Sequence, residues 1–254
     1  MQNTIKDQII NEMTALEDEV QKKNLMRFFK TGKNQYGEGD LFLGLKNPIV
    51  RNFVKKYYKE IPLSQTESLI QNKFHEIRLC GFLILVEKYS KLSTKKDFES
   101  QSLRDEIINL YLKNSTYANN WDLVDLSAPK LFGKWFLSES FIDNTEKEKI
   151  LHDLSFSENL WQRRISMIFT WQTTRQGHPE IALKQALIHL SDKHDLMRKA
   201  VGWMLREVGK VCSQDSLREF LEDNYPNISR TTLRYAIEKF EPQEREYWLR
   251  KNMV

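Results

Sequence analysis

Cysteine is scarce in this chain, with two residues in 254, and neither Cys80 nor Cys212 belongs to a CxxC or Cys/His group. A disulfide framework and a structural zinc site are therefore not expected. The five histidines, at positions 75, 152, 178, 189 and 194, also lack the spacing of metal ligands. The sequence predicts no metal and no other cofactor.

Long apolar runs are also lacking, since the longest, residues 80–86, is too short to cross a bilayer and is typical of a core helix. The first residues, MQNTIKD, lack the charged-then-apolar order of a secretory signal. With 9 glycines, 6 prolines and 40% hydrophobic residues, the chain is expected to be one soluble domain, 1–254, without membrane association. A net charge of +4 is too modest to predict nucleic-acid binding by itself.

What the sequence does contain is helical periodicity along its whole length, without strands. Helices are predicted near residues 3–19, 21–30, 47–59, 64–72, 75–90, 95–114, 119–133, 145–155, 158–175, 178–190, 195–211, 213–223, 229–240 and 242–252. The polar, glycine-rich residues 30–40 predict a mobile loop. Helix pairs recurring every ~35–45 residues predict an all-α, HEAT-like solenoid, a curved α-α superhelix with a concave groove.

Residues 119–133 combine a helix start, a helix end and an unusually placed carboxylate. Asn119 or Asn120 can cap the helix and Gly133 can end it. At about 100° per residue, one stripe holds Trp121, Asp125, Ala128 and Phe132. Such a carboxylate is either buried and satisfied by an arginine or backbone donors, or it is functional.

The predicted helix 195–211 has two contrasting faces. Val201, Met204, Leu205 and Val208 form the apolar face. The opposite face carries the basic stripe, which consists of Lys199, Trp203, Arg206 and Lys210. Either another helix covers Trp203, or the stripe faces DNA, with its cations on phosphates.

Two arginines of the predicted helix 158–175 differ in their surroundings. Arg163 lies on the polar side and is expected to be solvated. Arg164 lies on an apolar face, where a guanidinium must be paired or line a groove. Asp125 and a DNA phosphate are the candidate partners.

Three motifs occur in an order that resembles a known family. Trp121-Asp122-x-Val124-Asp125, then LWQRR ending at Arg164, then KAVGWMLRE beginning at Lys199 are similar to the AlkD-type alkylpurine DNA glycosylases, the HEAT-like DNA alkylation repair enzymes. The likeness runs from about residue 20 to about residue 240. It implies hydrolysis of the N-glycosidic bond of cationic N3- or N7-alkylated purines in double-stranded DNA, without base flipping.

The resemblance also implies roles for individual residues. Asp125 would stabilise the developing sugar cation between Trp121 and Trp203, while Arg164 would hold a phosphate. Further DNA contacts would come from Lys199, Arg206, Lys210, Arg234 and Phe28. Phe28 stands where family members carry a tyrosine near the lesion, although paired aromatics such as Phe28 and Phe29 are more typical of a helix core.

Two other functions fit the same residues. One is a non-catalytic solenoid that recognises damaged or branched DNA by shape and charge, and the other is a protein-interaction scaffold whose basic stripe meets an acidic protein. In each case we expect a monomer. The expected location is the cytoplasm, with a bacterial-type protein acting at the nucleoid.

Overall fold

The computed structural model describes residues 4–251, and these form helices without any β-strand beyond a bridge between Leu41 and Phe74. The prediction of an all-α fold is confirmed, and no helix of the described residues is long and apolar enough to span a membrane. The predicted helix bounds at residues 3 and 252 lie outside the described residues. The helices are α1 (Ile5–Thr14), α2 (Glu19–Phe28), α3 (Asn47–Tyr57), α4 (Leu63–Ile70), α5 (His75–Leu92), α6 (Phe98–Lys113), α7 (Trp121–Ser127), α8 (Lys134–Phe136), α9 (Asn144–Ser155), α10 (Leu160–Ile168), α11 (Thr170–Arg175), α12 (Pro179–His189), α13 (Asp195–Val211), α14 (Gln214–Asn224), α15 (Arg230–Ala236) and α16 (Pro242–Arg250).

The chain falls into two compact units. The first reaches Leu131 and includes Glu139–Ile142, so it holds α1 to α7. The second consists of Phe132–Ser138 and the chain from Asp143 onward, and it holds α8 to α16. The expectation of a single domain over residues 1–254 stays a prediction.

In the first unit, α5 is the central helix and packs against α3, α4, α6 and α7. Every residue from His75 to Val86 is buried, which confirms that the apolar run 80–86 is a core helix. A Cβ on Gly81 would lie 2.9 Å from the backbone nitrogen of Ile70, so the glycine allows α4 and α5 to approach closely. Helix α5 therefore holds both its apolar residues and its polar first turn in the interior of this unit.

In the second unit, α13 is the central helix and packs against α10, α11, α12, α14 and α15. Its predicted apolar face is buried at Val201, Met204, Leu205 and Val208. The closest approach is at Gly202, where a Cβ would lie 2.5 Å from the carbonyl oxygen of Thr232 in α15. This glycine sets the spacing of α13 and α15.

The predicted helix 119–133 is interrupted. Helix α7 ends at Ser127, and a π-helical turn follows over Pro129–Gly133 before α8 begins. Pro129 has no N–H to donate to the carbonyl of Asp125, so regular α-helical bonding cannot continue through it. Gly133 keeps helical angles, with φ −63° and ψ −41°, and the prediction that it ends the helix is wrong.

The predicted helix 158–175 is also divided, into α10 and α11. The hydroxyls of Ser166, Thr170 and Thr173 each donate to the carbonyl three residues earlier, at 2.7, 2.7 and 3.1 Å. Such side-chain bonds compete with the backbone ladder and bend helices. These local hydroxyl bonds account for the interruption, and hydrophobic periodicity does not predict them.

Candidate nucleic-acid interface

Helix α7 begins at a buried cap. The Oδ1 atom of Asn120 accepts from the backbone N–H of Trp121 at 2.9 Å, which confirms the predicted asparagine cap. The Nδ2 group of the same side chain donates to Asp40 at 3.3 Å. Asn120 therefore ties the start of α7 to a residue eighty positions earlier in the chain.

A buried charge network, formed by Asp40, His75, Arg78 and Asp122, surrounds this cap. The Nδ1 atom of His75 lies 2.9 Å from an oxygen of Asp40, and its Nε2 atom lies 3.0 Å from an oxygen of Asp122. Arg78 forms an ion pair with the other oxygen of Asp40. Because both ring nitrogens of His75 face carboxylates, the side chain donates from both as an imidazolium.

The pKa values follow from this geometry. Burial alone would lower the pKa of His75, but the carboxylates of Asp122 and Asp40 outweigh it and raise that pKa to about 9. Burial likewise opposes ionisation of Asp40, yet the hydrogen bond and charge of His75, together with Arg78, hold the pKa of Asp40 below its ordinary value. His75 and Asp40 are therefore both charged at neutral pH.

The end of the glycine-rich segment is anchored in the interior, which the prediction of a mobile loop did not anticipate. Asp40 is only 4% exposed because it belongs to the buried charge network. The chain that follows is held by Glu76, whose carboxylate accepts from the backbone N–H groups of Leu43, Gly44 and Leu45 at 2.8 to 3.0 Å. The first turn of α5 thus fixes this part of the chain.

An aromatic cluster covers the network and leaves one ring in solvent. Phe42 stacks on His75 with ring centroids 4.5 Å apart, and Phe29 lies 4.9 Å from His75 and 5.3 Å from Trp121. Phe28 is 61% exposed and meets Trp121 edge-on at 5.8 Å. The core prediction is right for Phe29 and wrong for Phe28, because neighbouring residues at a helix end point about 100° apart and only one can face inward.

Phe28 also borders an open cavity on the surface of α2. The cavity has a volume of about 340 Å³ and is lined by Gln21, Asn24, Leu25, Arg27 and Phe28. A ring, a guanidinium and two amides can contact a sugar, a base or a phosphate. The surface next to Trp121 is thus suited to a nucleic-acid strand.

Asp125 lies one helical turn after Trp121 on α7 and is half-buried. Its surroundings include Tyr111, whose pKa is raised by burial and, to a smaller extent, by the negative charge of Asp125. The first unit therefore brings together three predicted site residues, Phe28, Trp121 and Asp125, with Trp121 and Phe28 in direct ring contact.

The second unit carries the remaining six predicted residues, and four of them form the basic stripe of α13. Trp203 is half-buried and Lys210 is exposed. Lys199 lies 2.6 Å from Asp195, and Arg206 is paired with Glu238. The predicted face exists, but two of its cations are partly neutralised by carboxylates of the same unit.

Arg164 and Arg163 in α10 are both bonded within the second unit. Arg164 is 5% exposed and donates from Nη1 to the carbonyl of Leu196 at 2.6 Å. Arg163 was expected to be solvated, but its Nε donates to Asp192 at 2.8 Å and its Nη1 donates to the carbonyls of residues 157 and 158. The expectation for Arg163 is wrong because α13 begins beside α10 and brings Asp192 within reach.

Arg234 lies in α15 with its side chain exposed, next to Tyr235, which is 37% exposed. Helices α13 and α15 pack closely at Gly202. Arg234 in α15 and the basic stripe in α13 therefore belong to one packed helix pair. This pair presents the exposed cations Lys210 and Arg234.

Sequence reasoning missed the buried charge network. His75 was considered only as a metal ligand, and Asp122 only as a member of the motif Trp121-Asp122-x-Val124-Asp125. The available signal was that two ionisable residues, His75 and Glu76, occupy the first turn of a helix whose next turns are mostly apolar. Among residues 4–251, no group of three or more histidine, cysteine, aspartate or glutamate side chains is arranged to hold a metal ion.

Comparisons with known proteins bear on the fold and the family of this chain. A solved structure described as a predicted DNA alkylation repair enzyme from Enterococcus faecalis is similar, with a TM-score of 0.66 over 89% of this chain and 97% of that chain. At 18% sequence identity this likeness shows the fold. No curated protein matches.

The family model for DNA alkylation repair enzymes matches residues 9–240. This range takes in α7 with Trp121 and Asp125, α10 with Arg164, α13 with the basic stripe and α15 with Arg234. The chain therefore belongs to the DNA alkylation repair enzyme family.

Proposed function

We propose that this protein is a DNA glycosylase that releases cationic N3- or N7-alkylated purines from double-stranded DNA. The observation that carries the proposal is the half-buried carboxylate of Asp125, one helical turn from Trp121, which in turn contacts the exposed ring of Phe28. Membership of the DNA alkylation repair enzyme family supports the choice of DNA as the substrate.

The proposed chemistry needs little acid catalysis. A purine alkylated at N3 or N7 is positively charged, so it leaves as a neutral base with the electrons of the glycosidic bond. Positive charge then develops on the sugar, and a water oxygen bonds to C1′ and gives up a proton. Asp125 stabilises the sugar cation and accepts this proton, as carboxylates do in sugar hydrolysis.

Other residues would hold the DNA. Trp121 and Trp203 would pack against the deoxyribose, where the ring faces attract its developing charge. Arg164 would bind a phosphate, and Lys199, Arg206, Lys210 and Arg234 would contact the backbone. Selection would then depend on base charge and bond lability, without base flipping, in a monomer that needs no cofactor and acts in the cytoplasm.

The decisive experiment measures release of 7-methylguanine from methylated duplex DNA by the wild type, Asp125→Asn and Glu139→Gln. We expect release by the wild type, a fall of on the order of 100- to 1000-fold for Asp125→Asn, and DNA affinity within about twofold, since the carboxylate acts in the transition state. Glu139 is an exposed carboxylate of the same unit, and its variant controls for the loss of one negative charge.

Native turnover by Asp125→Asn would refute the role of this carboxylate. Tight duplex binding by the wild type without release of either 7-methylguanine or 3-methyladenine would favour a non-catalytic DNA-binding protein. Absence of DNA binding would favour a protein-interaction scaffold.

A further inference from the structure

His75 connects three separate parts of the first unit. It belongs to the first turn of α5, its Nδ1 atom bonds to Asp40 at the end of the glycine-rich segment, and its Nε2 atom bonds to Asp122 in the first turn of α7. The ring is 2% exposed, so water does not compete for either bond. One side chain therefore sets the position of α7 relative to α5 and to the segment before Leu41.

Aromatic contacts also connect His75 to Trp121. Phe42 and Phe29 pack on the His75 ring, and Phe29 also contacts Trp121. Trp121 follows the cap Asn120, whose amide is itself bonded to Asp40. A shift of His75 would thus move Trp121 both through the helix start and through the neighbouring rings.

We propose that His75 is a positioning residue for the reaction, because its bridge between Asp40 and Asp122 fixes the start of α7 and thereby orients Trp121 and Asp125. This inference rests on the proposed function. It assigns a role in the reaction to a side chain that is buried beneath Phe29 and Phe42 and does not touch the substrate.

A purely structural role would have different consequences. If the bridge only stabilised the fold, then a His75 variant that is still folded at the assay temperature would have native turnover. If the bridge orients α7, the folded variant turns over slowly although it binds DNA normally, because small displacements of reacting groups reduce the rate steeply.

The test compares His75→Gln and Asp122→Asn with Arg104→Met, all assayed well below their unfolding temperatures. Arg104 is a buried cation of the same unit whose Nη1 donates to the carbonyls of Leu92 and Lys95, at the opposite end of α5 from His75. We expect kcat for 7-methylguanine release to fall on the order of 10- to 100-fold in the two network variants, with KM within about threefold. Arg104→Met should lose stability with kcat unchanged.

A second readout needs no DNA. The protein is labelled with 5-fluorotryptophan, and the ¹⁹F resonance of Trp121 is assigned by its loss in Trp121→Phe. We expect this resonance to shift or split in His75→Gln and in Asp122→Asn, and to stay in place in Arg104→Met. An unchanged resonance in both network variants would overturn the proposal, as would native kcat in both.

The double variant completes the test. His75→Gln and Asp122→Asn remove the same link, so their effects on kcat should be strongly non-additive; additive effects would contradict the proposal. If the wild type releases no alkylated base, the proposed function fails, and the fluorine resonance still decides whether His75 orients Trp121.

Discussion

The charge network of the first unit and the exposed cations of the second unit use charge in opposite ways. In the first, Asp40, His75 and Arg78 are 4%, 2% and 4% exposed, while Phe28 is 61% exposed. In the second, Lys210 and Arg234 are exposed and Trp203 is half-buried. Buried charges with fixed partners hold helices in position. Exposed cations instead attract a polyanion from a distance, and salt weakens this attraction. Changes to these buried charges should therefore affect stability and turnover, and changes to these exposed cations should affect salt-dependent binding.

The largest effect is expected from breaking the charge network of the first unit with pH. His75 faces Asp40 from the loop and Asp122 from α7, with Arg78 on its own helix, and its pKa rises from an ordinary 6.5 to about 9. Its contribution to stability is thus fully present below pH 6.5 and is lost as pH rises through 9. We expect the free energy of unfolding to fall by on the order of 3 kcal/mol across this window.

Urea unfolding at a series of pH values measures this change. The variant His75→Gln should be less stable than the wild type at pH 6 and should show a flatter profile up to pH 9. A wild-type profile that is already flat over this range would mean that His75 is not held as an imidazolium.

The next largest effect is expected on stability, when the helix pair α13 and α15 of the second unit is forced apart. In Gly202→Ala the new methyl would lie 2.5 Å from the Thr232 carbonyl, so α13 and α15 must separate, at a cost of about 2 kcal/mol. Gly209→Ala on the same helix is the matched control, since its methyl would meet no backbone atom but the side chain of Leu217, whose terminal Cδ2 atom is the closest, at 2.6 Å. Chemical denaturation of both variants checks the difference, and equal stabilities would show that Gly202 does not set the helix spacing.

The smallest effect is expected on DNA binding, when an unpaired and a paired cation of the basic stripe are compared. Lys210 forms no ion pair with the residues that the structure describes, whereas Arg206 is paired with Glu238. Lys210→Ala should reduce the slope of log K against log salt for duplex DNA by about one, and Arg206→Ala should reduce it by less. The measurement is fluorescence anisotropy with a duplex at several salt concentrations. The same change in slope for both variants would mean that Arg206 leaves Glu238 when DNA binds.

Local features of this chain could be predicted well. The cap Asn120 acts on the next residue, and the apolar face of α13 repeats within two turns, so both depend only on neighbours in the sequence. The pairing of Lys199 with Asp195 is of the same kind, because residues four apart share a helix face. Broken helices were harder to foresee, since Pro129 shows where regular α-helical bonding is lost but not that a π-helical turn follows.

By itself, the sequence determined the helical class, the start of α7 with Trp121 and Asp125 one turn apart, and the amphipathic face of α13. Only the tertiary structure decided that Phe29 is buried while Phe28 is exposed, that Arg206 meets Glu238, and that His75 lies between carboxylates 35 and 47 positions away. The physical reason is the distance along the chain over which each kind of interaction acts. Capping and periodicity act within one or two helical turns, whereas the partner of a buried charge depends on which distant segments pack against it.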